Sequence, residues 1–374
     1  MELETNLLTC RHVVDKNCVN KMSTVVEDSM ATNMKWLGAA AGGVLTLAAT
    51  GAAAEGRLGT VLERGSLLCS GHNGSFLGFA EVDDQGKWKG VDIDLCKALA
   101  AGLFGKSEGH LEIVPISWAQ RWPALQSGDI DVVIKVSGWT QSRDTELNLS
   151  YSTPYFIGAF QAMAKAGLGA ERIADLDGGS LCVAAGTSTE RALATFLETN
   201  NIEAELLTFE NGDELRNSYY EGRCDAMVEW APSLAAGRVD APDGADNHVI
   251  LPDVIALEAE GIIVPEGDPD WLDVQNWMLS SLWFAEVEGI TSENVDEFKA
   301  NPPSETVAKF LGNTPGYGDR LGLPNDWAYN MIKEVGNFAE IYDRNIGEGS
   351  PYGLPRGVNS LYNAGGVFYP FIID

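Results

Sequence analysis

Short apolar runs alternate with amphipathic stretches along the chain from Gly65 onwards. In the first part of the chain, this alternation predicts strands and helices in strict succession. The predicted order is strand 66–70, helix 95–104 with Asp94 as its cap, strand 111–115, helix 118–127 and strand 130–134. Because strands that are joined by helices usually pair in parallel, this order indicates an α/β unit built on a parallel sheet.

The same succession appears a second time after residue 173. Its predicted elements are strand 181–185, helix 190–198, strand 205–209, helix 213–221 and strand 225–228. The two units share this order of elements without sharing sequence. We therefore expect an α/β fold with two lobes, each a mostly parallel sheet flanked by helices.

Two segments are suited to join the lobes. Residues 160–165 (FQAMAK) form an extended stretch between the units, and residues 255–264 lie where the chain leaves the second unit. Two short crossings allow hinge closure around a ligand. The expected boundaries are 60–160 plus 265–374 for the first lobe and 166–254 for the second, with tail helices at 271–288 and 327–345 packing onto the first lobe.

The formal net charge is strongly negative, at −29, although the hydrophobic fraction of 45% and the charged fraction of 21% are ordinary for a globular protein. A negative field repels phosphate backbones, which argues against nucleic acid as a partner. Net charge otherwise mainly affects solubility, so the excess of acidic residues predicts a well-solvated surface. We expect a monomer.

Residues 34–54 (MKWLGAAAGGVLTLAATGAAA) have the features of a secretory signal peptide. One lysine precedes an apolar run, and small residues at the end of the stretch fit a cleavage site. Signal peptides begin at the N-terminus, so we expect translation to start at Met34 and residues 1–33 to be a misassigned leader. No later segment approaches 18 apolar residues, and the predicted location is the periplasm.

Export changes the interpretation of the cysteines. Outside the doubtful leader the chain has Cys69, Cys96, Cys182 and Cys224, an even number in an oxidising compartment. Four cysteines allow three pairings, and we favour Cys69–Cys96 with Cys182–Cys224 because each pair then lies within one lobe. The alternative is four buried free thiols, since free cysteine is itself a common core residue.

Familiar catalytic and cofactor-binding motifs are missing from the sequence. It contains no GxSxG, no GxxxxGK[ST] and no HExxH. The four histidines are scattered, and no loop has the ligand spacing of a calcium site. We therefore expect no cofactor, no metal and no catalytic residue.

The most informative stretch is residues 137–156, SGWTQSRDTELNLSYSTPYF. Together with seven other stretches it resembles the general L-amino-acid-binding proteins of ABC importers, in the polar amino-acid-binding family (solute-binding protein family 3). The other stretches are GVDIDLCKALAAGLFG, RWPALQSGDIDV, GTSTE, GRCDA, HVILPDVIALE, ITSENVD and VGNFAEIYDRNIG. The resemblance runs in order from Gly65 to about Phe371. It implies a periplasmic-binding-protein fold, a small solute in the cleft and delivery to the membrane subunits of an ABC permease.

The resemblance implies that Arg143, in the stretch WTQSRD, holds the α-carboxylate of the solute. This role for Arg143 is also chemically reasonable without the resemblance, because a guanidinium presents two parallel donors to a carboxylate. The alternative is a surface arginine paired with Asp144 or Glu146. In the second lobe, the turn 186–190 (GTSTE) matches the family's clamp on the same carboxylate, and exposed N–H groups at a helix start attract anions. That turn could equally be a simple helix cap completed by its glutamate.

The expected partner of the solute ammonium departs from the family pattern. The family has an Asp five residues after the Asp of GRCD, and here that position is Trp230, preceded by Glu229. Neighbouring strand residues face opposite ways, so Glu229 replaces the Asp only if the strand bulges. Either Glu229 turns into the cleft and the solute is an ordinary amino acid, or Trp230 faces the cleft and the solute lacks a conventional α-ammonium. A second departure lies just before Trp139, where the polar residues of the family are replaced by Val136 and Gly138.

These arguments define a set of candidate solute-binding residues. The set is Phe79, Gly138, Trp139, Thr140, Arg143, Thr187, Ser188, Thr189, Glu229 and Trp230. The predicted function is capture of an amino acid or a related carboxylate-bearing solute for an ABC importer, without enzymatic activity. Two alternatives stay open: an enzyme on the same scaffold, resembling cyclohexadienyl dehydratase with Glu229 as its acid, and an orphan solute sensor.

Overall fold

The computed structural model describes residues 56–374. The predicted leader (1–33) and signal peptide (34–54) lie outside the described residues. Within 56–374, no helix has the length and the apolar character needed to cross a membrane.

Strands and helices alternate as expected for an α/β protein. The strands are β1 (Leu67–His72), β2 (Glu81–Val82), β3 (Trp88–Lys89), β4 (Leu111–Ile116), β5 (Val133–Gly138), β6 (Leu149–Tyr151), β7 (Phe156–Lys165), β8 (Ser180–Ala184), β9 (Glu205–Phe209), β10 (Ala226–Trp230), β11 (His248–Ile250) and β12 (Ala256–Pro265). The helices are α1 (Arg57–Arg64), α2 (Val91–Phe104), α3 (Arg121–Ser127), α4 (Gln141–Glu146), α5 (Ser188–Asn200), α6 (Gly212–Tyr220), α7 (Ala231–Val239), α8 (Pro269–Val287), α9 (Val295–Ala300), α10 (Glu305–Phe310), α11 (Trp327–Val335) and α12 (Phe338–Asn345).

The main sheet runs from one lobe to the other in the order β5-β12-β7-β10-β8-β9. In the second lobe β10, β8 and β9 pair in parallel. In the first lobe β1 and β4 pair in parallel, and a parallel bridge between Cys69 and Val132 connects them to the start of β5. The two long strands between these ends, β7 and β12, pair antiparallel and are called the crossing strands below. They contain the predicted crossings 160–165 and 255–264 almost entirely, which gives the two-lobed periplasmic-binding-protein fold.

The tail packs onto the first lobe. Helix α8 is buried along most of its length, and the indole nitrogen of Trp271 donates to the Asp131 carbonyl at 3.0 Å. Helix α11 lies along α2, where Met331 fits against Gly102. The carboxylate of Asp94 on α2 accepts from Arg344 of α12 at 2.8 Å. The tail thus extends the core of the first lobe.

Two sequence-based expectations about helices are wrong. The predicted helix 327–345 is two helices, because Gly336 adopts a φ of 76° and Asn337 starts a new helix by accepting from the backbone N–H of Glu340 at 3.0 Å. Helix α2 begins at Val91 instead of residue 95, so Asp94 lies inside the helix and pairs with tail residues instead of capping it. Both errors concern helix boundaries, which depend on local backbone conformation more than on hydrophobic pattern.

The four cysteines of the described residues form two disulfides. Cys69 on β1 is bonded to Cys96 on α2, and Cys182 on β8 is bonded to Cys224 just before β10. This is the predicted pairing, and each bond lies within one lobe.

Candidate functional site

A small cavity lies between the lobes, beside the crossing strands. Its lining side chains come from three sources. The first lobe contributes Phe76, Trp118, Arg121, Val136 and Arg143, the second contributes Ala184, Thr187, Ser188, Thr189, Val228, Glu229 and Trp230, and the crossing strands contribute Phe160, Glu258 and Glu260. Its volume of about 30 Å³ leaves room for only about two water molecules. A larger solute therefore needs the lobes to part or a cavity side chain to move.

Arg143 faces the cavity from the first lobe. It lies on α4, whose N-terminus is capped by Thr140, and its side chain is only 3% exposed. One guanidinium nitrogen donates to the Gly138 carbonyl at 2.7 Å, and the group lies over the ring of Trp122, 5.3 Å from its centroid. These contacts fix the direction of the guanidinium, so the arginine is not the surface residue of the alternative interpretation.

The turn before α5 faces Arg143 from the second lobe. Thr187 caps α5 by accepting from the backbone N–H of Glu190 at 3.0 Å, and its hydroxyl donates to the Ala184 carbonyl at 2.7 Å. With Thr187 used for the cap, Ser188 is free to point into the cavity. Its hydroxyl donates to the Glu258 carboxylate at 3.0 Å. The helix cap and the anion contact are therefore both present, on neighbouring residues.

Glu258 occupies the position between these two groups. Its carboxylate lies 3.7 Å from the Arg143 guanidinium and accepts the hydrogen bond from Ser188. The side chain fits there because Gly138 on the neighbouring strand has no Cβ, and a Cβ at that position would overlap it. A carboxylate of the protein thus links the two lobes at the predicted carboxylate clamp.

Trp230 and Glu229 both line the cavity from the end of β10, although the alternation of strand residues predicts that only one of them does. Trp230 packs against the rings of Phe79 and Phe156, at centroid distances of 4.8 and 4.6 Å, and its indole lies over Gly158. Both residues can contribute because Trp230 is the last residue of the strand and also precedes α7. Within the described part of the chain its indole nitrogen has no hydrogen-bond partner.

The carboxyl group of Glu229 already has a partner in the protein. It accepts from the Ser233 hydroxyl at 3.0 Å. Burial raises the pKa of Glu229, and the nearby guanidinium of Arg216 opposes the rise. The residue is therefore a buried acid on the cavity wall.

Sequence reasoning missed Arg121, Glu258 and Glu260 as cavity residues. Arg121 is buried between the rings of Trp118 and Trp122, with its guanidinium carbon 5.1 and 4.2 Å from their centroids. Glu260 is 1% exposed, and neither of its carboxylate oxygens has a hydrogen-bond partner among residues 56–374. The one available signal was the spacing of Glu258 and Glu260, two residues apart in an otherwise apolar strand, which places both on one face.

A buried polar group supports the cavity wall from behind. The Asp92 carboxylate accepts from the Tyr155 hydroxyl at 2.7 Å, and that hydroxyl accepts from the backbone N–H of Val136 at 3.0 Å. Val136 has a φ of 33°, which is unusual for a β-branched residue and is held in place by this bond. Burial raises the pKa of Asp92 to about 7, against the opposing effect of Lys135.

The profile of the bacterial extracellular solute-binding proteins, family 3, matches residues 68–286. The chain belongs to this family. The matched range includes every side chain that lines the cavity, so the assignment covers the whole candidate site.

Curated relatives of this family 3 protein are similar over nearly their whole length. The chain is 39% identical to the general L-amino acid-binding periplasmic protein AapJ of Rhizobium johnstonii, over 90% of this chain and 98% of the relative. It is 38% identical to the putative amino-acid ABC transporter-binding protein YhdW of Escherichia coli, over 88% and 96%. It is 36% identical to the glutamate/glutamine/aspartate/asparagine-binding protein BztA of Rhodobacter capsulatus, over 87% and 96%.

Solved structures of similar fold include a binding protein with a ligand. An ABC transporter/periplasmic binding protein from Brucella ovis with glutathione bound superimposes with a TM-score of 0.79 at 38% identity, covering 84% of this chain and 98% of that one. An ancestral amino acid-binding protein described as a precursor of cyclohexadienyl dehydratase gives a TM-score of 0.54 at 28% identity, covering 63% and 98%. Both neighbours carry the same fold.

The structure brings six of the ten predicted solute-binding residues of this family 3 protein to the cavity, namely Arg143, Thr187, Ser188, Thr189, Glu229 and Trp230. The other four lie around it. Phe79 is fully buried behind Trp230, and Gly138 supplies a carbonyl to Arg143 and space for Glu258. Trp139 is 48% exposed and stacks on Tyr151, and Thr140 caps α4.

Proposed function

We propose that this protein captures a small solute with a free carboxylate, an amino acid or a close derivative, in the cleft between its lobes. It delivers the solute to the membrane subunits of an ABC importer. The relatives named above are periplasmic or ABC transporter-binding proteins, which supports a periplasmic location and the same role.

The observation that carries this proposal is the carboxylate of Glu258 between Arg143 and Ser188. It lies 3.7 Å from the guanidinium of one lobe and 3.0 Å from the hydroxyl of the other. The two lobes are therefore able to share one carboxylate, and a solute carboxylate in the same place would use the same donors. Hydrogen bonds to charged groups contribute about 1.5–3 kcal/mol each when they replace water.

This arrangement also couples binding to closure. Arg143 belongs to the first lobe, whereas the turn that carries Ser188 belongs to the second. A solute carboxylate that contacts both can do so only when the lobes are close together. Differential affinity of this kind shifts the population toward the closed form, which is the form that we expect the permease to recognise.

The test is a binding screen with the purified protein, using thermal shift and calorimetry. The panel contains the twenty L-amino acids, glutathione, betaines and 2-keto acids. A bound solute at about 100 times its dissociation constant should add about 2.7 kcal/mol of stability. Arg143→Ala should abolish that gain, whereas the matched control Arg223→Ala, an exposed arginine that pairs with Glu221, should keep it. An unchanged gain in the Arg143 variant, or no gain with any solute, refutes the proposal.

A dehydratase-like enzyme on this scaffold is the second candidate. Glu229 is a buried cavity carboxyl group whose pKa is raised by burial, as a general acid requires. The names of the relatives at 36–39% identity favour binding without catalysis. Incubation with prephenate and detection of phenylpyruvate separates the candidates, because turnover that is lost in Glu229→Gln would establish the enzyme.

A further inference from the structure

The amino-acid solute of the proposed function carries an ammonium group as well as a carboxylate, and the family position for its partner is Trp230. An indole N–H is a donor and cannot accept from an ammonium group. Glu229 accepts from the Ser233 hydroxyl and already has a cationic neighbour in Arg216. Neither residue therefore offers the ammonium a free pair of acceptor oxygens.

Glu260 offers both of its oxygens. It lies on β12, opposite Gly138 of β5 and Phe156 of β7, and its side chain lies on the same face as Glu258. It lines the cavity, is 1% exposed, and both oxygens lack hydrogen-bond partners in the described part of the protein. A buried carboxyl group without partners costs several kcal/mol if it is ionised, so its presence requires an explanation.

The charged and titratable groups around Glu260 come from four parts of the chain. Glu258 lies on the same strand, Arg143 on α4, Asp92 on α2, and Tyr155 just before β7. Burial raises the pKa of Glu260 first of all. Glu258 raises it further, both by its charge and because the two carboxyl groups are close enough to share a hydrogen bond when one of them is protonated. The charge of Asp92 also raises it, whereas Arg143 lowers it. Among the groups that shift its pKa, Arg143 is the cation that offsets the ionised carboxylate, and Arg143 already faces Glu258.

We infer that Glu260 receives the ammonium group of the solute, and this inference rests on the proposed function. In an α-amino acid the ammonium and the carboxylate are bonded to the same carbon, so their partners must lie side by side. Arg143 and Glu260 meet that requirement, because each lies close to the carboxylate of Glu258. The site then selects α-amino acids with a free ammonium group over keto acids and N-acylated analogues.

Binding of the ammonium also moves a proton. The raised pKa of Glu260 in the free protein falls when a positive charge arrives beside it, so the solute displaces a proton from the carboxyl group. Affinity therefore rises with pH toward the pKa of Glu260 in the free protein and levels off above it. Calorimetry of the same titration in two buffers that differ in ionisation enthalpy measures the number of protons released.

The experiment uses three matched pairs of probes, each pair differing only in an ammonium group replaced by a carbonyl. The pairs are L-glutamate with 2-oxoglutarate, L-leucine with 4-methyl-2-oxopentanoate, and L-phenylalanine with phenylpyruvate. We expect the wild-type protein to prefer at least one amino acid over its keto acid. Glu260→Gln should weaken the binding of that amino acid by about 10- to 100-fold and leave the affinity for the keto acid nearly unchanged. It should also abolish proton release.

Several outcomes overturn the inference, and they are distinguishable from failure of the proposed function. Equal binding of amino and keto acids by the wild type, or undiminished amino-acid binding by Glu260→Gln, removes Glu260 from the ammonium site but leaves carboxylate capture intact. If Glu229→Gln instead loses amino-acid binding and keeps keto-acid binding, the ammonium partner is Glu229. No binding of any probe counts against both proposals. Folding is a minor concern, because removal of an unpaired buried acid should leave the melting temperature of the ligand-free variant unchanged or higher.

Discussion

Glu258→Gln tests whether the protein's own carboxylate competes with the solute. In the structure the Glu258 carboxylate accepts from Ser188 and lies 3.7 Å from the Arg143 guanidinium, so a solute carboxylate can occupy this position only after displacing it. Glutamine keeps the shape of the side chain and removes its charge. We therefore expect the variant to bind carboxylate solutes more tightly than the wild type.

The magnitude follows from the geometry of the pair. Two unit charges at the observed 3.7 Å interact by about 4 kcal/mol at an effective dielectric constant of about 20. Desolvation offsets much of this, which leaves a net interaction on the order of 1.5–3 kcal/mol for this buried ion pair. Release of Arg143 from this pair should therefore strengthen solute binding by about 10- to 100-fold.

The same change should destabilise the ligand-free protein. Both side chains are less than 10% exposed, and removal of one member leaves a buried guanidinium without its counter-charge. We expect a lower melting temperature without solute and a larger rise on addition of solute, measured by thermal shift and calorimetry. The control is Glu221→Gln, an exposed glutamate that pairs with Arg223. Weaker solute binding by Glu258→Gln would refute the competition and would place this carboxylate among the groups that contact the solute.

Two further predictions concern the walls of the cavity. Gly158→Ala places a Cβ where the indole of Trp230 now lies, so denaturant unfolding should show a loss of about 1–3 kcal/mol, typical of overpacking. Asp92 has a pKa of about 7 against an ordinary 3.8, so between these pH values the folded protein holds a proton that the unfolded chain has released. The free energy of unfolding should therefore fall as pH rises through this window. Asp92→Asn should remove up to about 4 kcal/mol of that fall, measured by denaturation at several pH values. A fall of the same size in the variant would contradict the pKa of Asp92.

Local hydrophobic pattern predicted the alternating strands and helices of the two units but missed helices α4 and α7. Strand β9 matches the predicted residues 205–209 exactly in its bounds, because its apolar positions are followed by the turn that begins the next helix. The helix boundary at Gly336 was missed, since a glycine in a helical pattern shows no sign of its positive φ until the chain is folded. The pattern therefore predicts which segments form elements better than it predicts where they end.

The candidate site was predictable only in part, because its residues differ in how local their signals are. Arg143 and Ser188 lie in short stretches whose chemistry is visible in the sequence. Glu258 and Glu260 depend on the pairing of β12 with β5. It places Glu260 opposite Gly138 and the side chain of Glu258 against that glycine, although more than one hundred residues separate the strands in the chain. That register is set by the whole sheet, so no stretch of sequence shows it.

The charges of the cavity explain why a zwitterion suits it. Arg121 and Arg143 face three carboxyl groups, Glu229, Glu258 and Glu260, and the pKa values of Glu229 and Glu260 are raised because burial favours their neutral forms. A zwitterion adds no net charge, so its capture would exchange partners within the cavity and release the proton of Glu260. Its carboxylate replaces Glu258 at Arg143, and its ammonium supplies the positive charge that Glu260 lacks. A solute with only a carboxylate would contact Arg143 but would leave Glu260 protonated and without a partner, so it would gain less from the cavity. Both glutamates lie on a crossing strand, so the groups that we propose to recognise the solute are on the same element that connects the lobes.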